Sequence, residues 1–356
     1  MPAAGSARGI GMPVAGPAHG VGVPAAGSAR GVEPPAAGSP HAAAGAGRSQ
    51  AGPEPEPQAA RISGPLAARE AGTRQQEAVP VPGNARLDAA FAVRGGRTVL
   101  VSKLHTAPLK IAKTFDRPRE LAVIVMDASP GMLAGDRYEM VWTAERGARV
   151  YLTNQGYSRV HPSPPGGGAV LTQRFTLHEG ACVQSMMEPI MLYRDAELVS
   201  RTEVDLSPGA VWMSVDILCP GRAGRGEKFA YRRYDAELAV RYGGEPIYRN
   251  RQIIEPARQR IAAPGAWEDC THIGTLCCFS DRLDGSHLEA ARAAAEQAAA
   301  SLPGGCVTGA SRTWRHGLVV MAAGDAAWKL QRVLGAAWRA LRRTLPGLPE
   351  EVWAEQ

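Results

Sequence analysis

Aromatic residues make up only 6% of this 356-residue chain, and none occurs before Phe91. Of the first 85 residues, 50 are Ala, Gly or Pro. Such a stretch buries too little apolar surface to offset the entropy lost on ordering, so disorder is predicted for residues 1–85. No charged segment leading into an apolar run opens the chain, which argues against a secretory signal. No uninterrupted apolar run approaches the roughly 20 residues that a membrane-spanning helix requires. The phosphate-cradling Gly-x-x-x-x-Gly-Lys-[Ser/Thr] loop is missing, which excludes a P-loop nucleotidase. His-Glu-x-x-His is missing too, and the six cysteines form no Cys-x-x-Cys pair. The tightest soft-ligand pair, Cys270 and His272, supplies two donors where a closed zinc site takes four.

What fills the first 85 residues is partly a repeat. Pro2, Pro13, Pro24 and Pro35 open units of eleven residues, and Pro-Ala-Ala-Gly-Ser-Ala-Arg-Gly recurs identically from positions 2 and 24. Eleven-residue periods can wind helices into right-handed supercoils, but Pro and Gly in every unit exclude that here. The formal charge is +6. Residues 1–85 hold six Lys and Arg against five Asp and Glu, which leaves +5 for the remainder. Basic residues are dispersed apart from Arg339, Arg342 and Arg343, which read as a solvated helix face. No nucleic-acid-binding patch is predicted. All six cysteines fall after residue 85, mostly within apolar runs. They read as reduced core thiols of a cytoplasmic protein.

Residues 86–356 are predicted to fold, and they are long enough to bury a full core. From Leu87 to Ile254, short runs rich in Val, Tyr, Leu and Thr are separated by Gly-containing turns. Arg94-Gly95-Gly96, between Phe91–Val93 and Val99–Val101, is a hairpin signal. His178-Glu179-Gly180 and Pro208-Gly209 punctuate the later runs in the same way. Strands at roughly 10-residue spacing without intervening helices predict a mainly β fold: a sandwich, a barrel or a solenoid. That strand-rich part covers 86–280. Residues 281–356 are mixed, with an Ala-rich helix over Leu288–Leu302, a strand over Leu318–Ala322 and a helix from Asp325 to Thr344. Trp328, Leu330, Val333, Leu334, Ala337, Trp338 and Leu341 share one face of the last helix, predicted to be core.

The most informative segment is Pro130-Gly131-Met132-Leu133-Ala134-Gly135-Asp136, which joins two strand-like runs. Read alone, it is a turn whose closing Asp bonds its own backbone. Around it stand Ala107-Pro108-Leu109-Lys110, Thr153-Asn154-Gln155-Gly156-Tyr157-Ser158-Arg159-Val160 and Glu188-Pro189-Ile190. Asp216-Ile217-Leu218-Cys219-Pro220-Gly221-Arg222, Gly226-Glu227 and Gly274-Thr275-Leu276 follow. In this order and spacing, from about Arg86 to the C-terminus, the chain resembles the urease accessory protein UreD (UreH) family. The resemblance implies β-helix-like stacked sheets with a small α-containing C-terminal part. It also implies a non-catalytic scaffold between urease apoprotein, UreF and UreG, with GTP bound only by UreG. Ni²⁺ would pass transiently to the urease active site, and no cofactor would be held tightly.

Acids stand out among the motif residues. Alternation along Val211–Leu218 puts Asp216 on the face shared by Trp212, Ser214 and Leu218. A carboxylate there must be paired or wet. Arg222 and Arg251 are candidate structural partners, whereas a wet carboxylate suits a divalent ion that exchanges. By motif, the resemblance nominates Asp136, Ser158, Asp216 and Glu227 for a nickel passage. It assigns structural or partner-facing roles to Pro108, Gly131, Gly135, Gln155, Arg159, Glu188, Pro189, Gly221, Arg222 and Arg251. Asn250 stands before Arg251 where relatives can carry an acid, which weakens attraction for a cation there. The rival reading is a carbohydrate-active β-solenoid enzyme with two carboxylates about 5–10 Å apart. The low aromatic content argues against it.

Overall fold

The computed structural model describes residues 83–345. All but the last three positions of the predicted disordered segment therefore lie outside the described residues. The chain order is β1 (Asn84–Arg94), β2 (Arg97–His105), β3 (Leu109–Arg117), β4 (Glu120–Asp127), β5 (Arg137–Ala144), β6 (Arg149–Asn154), β7 (Ser158–Val160), β8 (Ala169–Leu177) and β9 (Cys182–Met186). Then come β10 (Ile190–Leu192), β11 (Glu197–Leu206), β12 (Val211–Cys219), β13 (Arg233–Tyr242), β14 (Glu245–Ile254) and β15 (His272–Phe279). Helix α1 (Gly285–Ala300), β16 (Val307–Arg312), β17 (Gly317–Gly324) and helix α2 (Ala327–Thr344) complete it. Because β1 starts at Asn84 and Ala85 is buried, the folded region begins slightly before Arg86.

One sheet runs in the order β14-β13-β11-β8-β5-β1-β2, the other β16-β17-β15-β12-β9-β6-β4-β3. Their centres are parallel: β1, β5, β8, β11 and β13 in the first, β4, β6, β9 and β12 in the second. The chain therefore winds from one sheet to the other and back, and strand spacing alone could not distinguish this solenoid from a sandwich. Its corners repeat. Gly147, Gly180 and Gly209 all lie near φ +70°, and each precedes an alanine with no exposed surface. Glycine takes that conformation freely, and the small alanine fits under the adjacent coil. Successive corners are tied by Gly147 N donating to Glu179 O (3.0 Å) and Gly180 N to Pro208 O (3.1 Å).

Between the sheets, Trp142, Phe175, Trp212 and Phe279 form a chain of rings with centroids 5.7–6.4 Å apart. The outer face of the first sheet is charged, with pairs such as Arg174–Glu203 (3.3 Å) and Arg249–Glu237 (2.6 Å) crossing between strands. The outer face of the second sheet is apolar and is covered by the two helices. Val211, Met213, Val215 and Ile217 belong to the core under the helices, while Trp212 and Leu218 belong to the core between the sheets. The alternation read from the sequence of β12 is thus the one observed.

The C-terminal elements correct three expectations. Helix α1 starts at Gly285 because the Asp284 carboxylate accepts the N–H groups of Ser286 (2.9 Å) and His287 (3.3 Å). On α2, Trp328 leaves the apolar stripe and is 49% exposed. Arg342, read as part of a solvated face, is 1% exposed. Among the described residues, no helix is long and apolar enough to cross a membrane.

Candidate functional site

Where strands of the second sheet end, the chain builds a short third column before crossing back. Met132 bridges Val160, β7 pairs in parallel with β10, and β10 pairs with the end of β12. This column explains the Gly-rich turn. A Cβ on Gly131 would lie 2.6 Å from the Arg159 carbonyl oxygen, and its φ of +132° also disfavours a side chain. Met132 N donates to Arg159 O (2.8 Å) and Ser158 N to Pro189 O (3.0 Å), which binds three motifs together.

Behind the column, between the inner faces of the sheets, lies a cavity of about 240 Å³. Its polar wall includes Asp127, Ser129, Tyr138, Asn154, Ser158, Glu188 and Asp216, and its apolar wall includes Leu109, Val125, Met140, Leu171 and Ile190. Asp216 is the one exposed residue in an otherwise buried β12, and what it is exposed to is this cavity. Neither Arg222 nor Arg251 reaches it. Arg222 pairs with Glu227 (2.5 Å) and Arg251 with Asp235 (2.8 Å). Enclosure by protein pushes the Asp216 carboxyl up to about 6. Burial also raises Glu188, against the hydrogen bond it accepts from Gln331 (3.0 Å). Asn154 accepts from Glu188 N (2.7 Å) and faces Ser158 Oγ at 3.4 Å. Across the cavity, Ser129 Oγ donates to Asp127 (2.6 Å) and meets Tyr138 Oη at 3.2 Å. These oxygen donors are spread along the wall: among the described residues, no three His, Cys, Asp or Glu side chains gather as a metal site.

A family model described as UreD urease accessory protein matches residues 83–354. The chain belongs to the UreD family. The urease accessory protein UreD of Acetivibrio thermocellus is 30% identical over 253 residues, which cover 68% of this chain and 91% of that one. UreD 2 of Streptomyces griseus is 29% identical over 270 residues, 73% of this chain and 89% of its own length. A Haloarcula marismortui UreD is 27% identical over 261 residues, covering 71% and 84%.

The UreD motif residues fall into two groups. Ser158, Asp216, Glu188, Gly131, Gln155 and Arg159 line the cavity. Asp136 does not: its carboxylate accepts Leu133 N (2.7 Å), the turn-closing role that its position alone suggested. Gly135 N donates to Gly167 O (2.9 Å), which anchors the same turn from outside. Glu227 is buried against Arg222, whose hydrogen bonds lower its carboxyl pKa from the ordinary value, and Arg222 also stacks on Tyr193 at 4.1 Å. Gly221 is pressed against the Glu227 carbonyl, 2.2 Å from where a Cβ would be. Pro108, cis to Ala107, accepts Ala128 N (3.0 Å) beside the Gly-rich turn. Arg251 lies on the charged outer face, and its neighbour Asn250 is exposed. Sequence reasoning missed Asp127, Ser129 and Tyr138. The Asp-x-Ser spacing at a strand end is a turn signal, and only the fold turns it toward the cavity.

Proposed function

We propose that this UreD-family chain serves urease maturation as a non-catalytic scaffold in the cytoplasm. It would link urease apoprotein to UreF and UreG, and Ni²⁺ would travel through the cavity on its way to the urease active site. GTP would be bound by UreG alone, and neither membrane nor nucleic acid would take part. The observation that carries this reading is the Asp216 carboxylate, without an ion pair or hydrogen bond among the described residues, opening on a cavity with one wall of oxygen donors. Carboxylate, hydroxyl and amide oxygens met singly suit a hydrated divalent ion in transit better than a thiolate or imidazole cage would. Asp216 and Ser158 would contact the ion. Asp136 would hold the Gly-rich wall in shape, and Glu227 would clamp the segment after β12.

The test is complementation of a urease operon lacking its UreD gene, read as urease activity, urease nickel content and co-purification of UreF. Wild type is expected to restore all three. Asp216→Ala is expected to retain UreF while leaving urease poor in nickel. Full rescue by Asp216→Ala would remove the cavity from the pathway and leave the scaffold standing. Failure of wild type in its own operon to bind UreF or rescue activity would overturn the scaffold as well.

A further inference from the structure

At the opposite strand ends lies a second cavity, of about 560 Å³. In later coils this corner is closed by a tight Gly-Ala turn. In the first coil the chain leaves β1 into the β2 and β3 hairpins before returning as β4, and the corner stays open. Its walls come from Arg97, Thr98, Asp116, Arg119, Gly147 and Arg149, with the Arg117–Glu120 pair at its base. Thr98 Oγ1 accepts Arg149 N (2.9 Å), which fixes the first hairpin to the coil corner.

Arg97, Arg119 and Arg149 all line this cavity, Arg97 and Arg119 as exposed residues. Arg97, Arg119 and Arg149 take part in no side-chain hydrogen bond or ion pair among the described residues, whereas Arg174, Arg201 and Arg222 sit against acids. Glu120 does not neutralise them, because it is already engaged by Arg342, Arg117 and Gln184. Asp116 is the remaining acid on the wall and is itself without an ion pair among the described residues. Arg119 also holds φ at +69°, following Pro118, in a turn position that glycine ordinarily fills. A disfavoured conformation kept by an unpaired charged residue is the kind of strain found at ligand sites.

We propose that this cavity binds the phosphoryl groups of a small molecule. Guanidinium forks match phosphate oxygens, and three of them suit a ligand with more than one negative charge better than a single carboxylate. A solvent-open cavity of about 560 Å³ matches the size of one small ligand. Asp116 would accept a hydrogen bond from a ligand hydroxyl, such as those of a nucleotide's ribose.

Isothermal titration of the full chain with pyrophosphate and with ADP tests this, at low and at physiological salt. Saturable one-site binding is expected, weakened roughly ten- to a hundredfold by Arg97→Ala or Arg119→Gly. Tighter binding of ADP assigns the site to a nucleotide, and equal binding assigns it to the inorganic diphosphate. Arg119→Gly places glycine where the backbone favours it, and thermal unfolding confirms that both variants fold. Absence of saturable binding overturns the proposal, as does binding that neither variant changes. Tighter binding of an oligoglutamate peptide at the same arginines would also overturn it, in favour of an acidic protein partner.

Discussion

Arg342, in the last turn of α2, and Glu120, the first residue of β4, form an ion pair at 3.2 Å with both side chains 1% exposed. The pair links the C-terminal helix to the first coil across 222 positions of sequence. Gln184 completes the network by donating to Glu120 (3.0 Å) and accepting from Trp338 Nε1 (3.0 Å). Removing Arg342 leaves the buried Glu120 carboxylate with only Arg117, at the edge of the network, and the neutral Gln184, which is costlier than removing both members of the pair. Arg342→Met is therefore expected to lower stability by about 3–5 kcal/mol. The double change Arg342→Met with Glu120→Leu should recover most of that loss. Urea unfolding of the three proteins measures it, and equal losses in single and double variants would contradict it.

Gly131 offers a test of the third column. A Cβ there meets the Arg159 backbone, while Gly135 has positive φ but open space around it. Gly131→Ala is expected to cost about 2–4 kcal/mol and Gly135→Ala about 1–2 kcal/mol, the difference being the clash. Equal losses in urea unfolding would mean that backbone conformation alone sets both positions.

Asp216 makes stability depend on pH with a definite sign. Its folded value of about 6 lies above the ordinary 3.8, so folding favours the protonated form. The cost of ionising it is absent below about pH 4 and complete above about pH 6. The full shift corresponds to about 3 kcal/mol, and water reaching the cavity reduces this to about 1–2 kcal/mol. Asp216→Asn should therefore be more stable than wild type at pH 8 and match it at pH 4. A stability gap that does not change with pH would show that the carboxylate is not enclosed as described.

Residues 1–82 lie before the matched family region, which begins at residue 83. Deleting them is expected to leave urease activation intact in the complementation assay. Extending the deletion through Leu87 removes buried Ala85 and Leu87 from β1 and should abolish it. Loss of activation with the shorter deletion would assign a role to the repeats.

Much of this protein was legible in its residue order. Spacing of the strands, the Arg94–Arg97 hairpin and the alternation along β12 follow from local periodicity and turn chemistry, because those act between residues close in sequence. The motif series by itself points to the UreD family. Which partner each polar side chain takes was not local. Asp136 and Asp127 flank the same turn, yet Asp136 bonds its own backbone and Asp127 faces the cavity. Arg222 read as a candidate partner for Asp216, yet the turn after β12 places it beside Glu227. Arg97, Arg119 and Arg149 are scattered along the sequence and line one cavity only because the first coil leaves its corner open. Periodicity tells which face of a strand is buried, and coil stacking alone decides what that face meets.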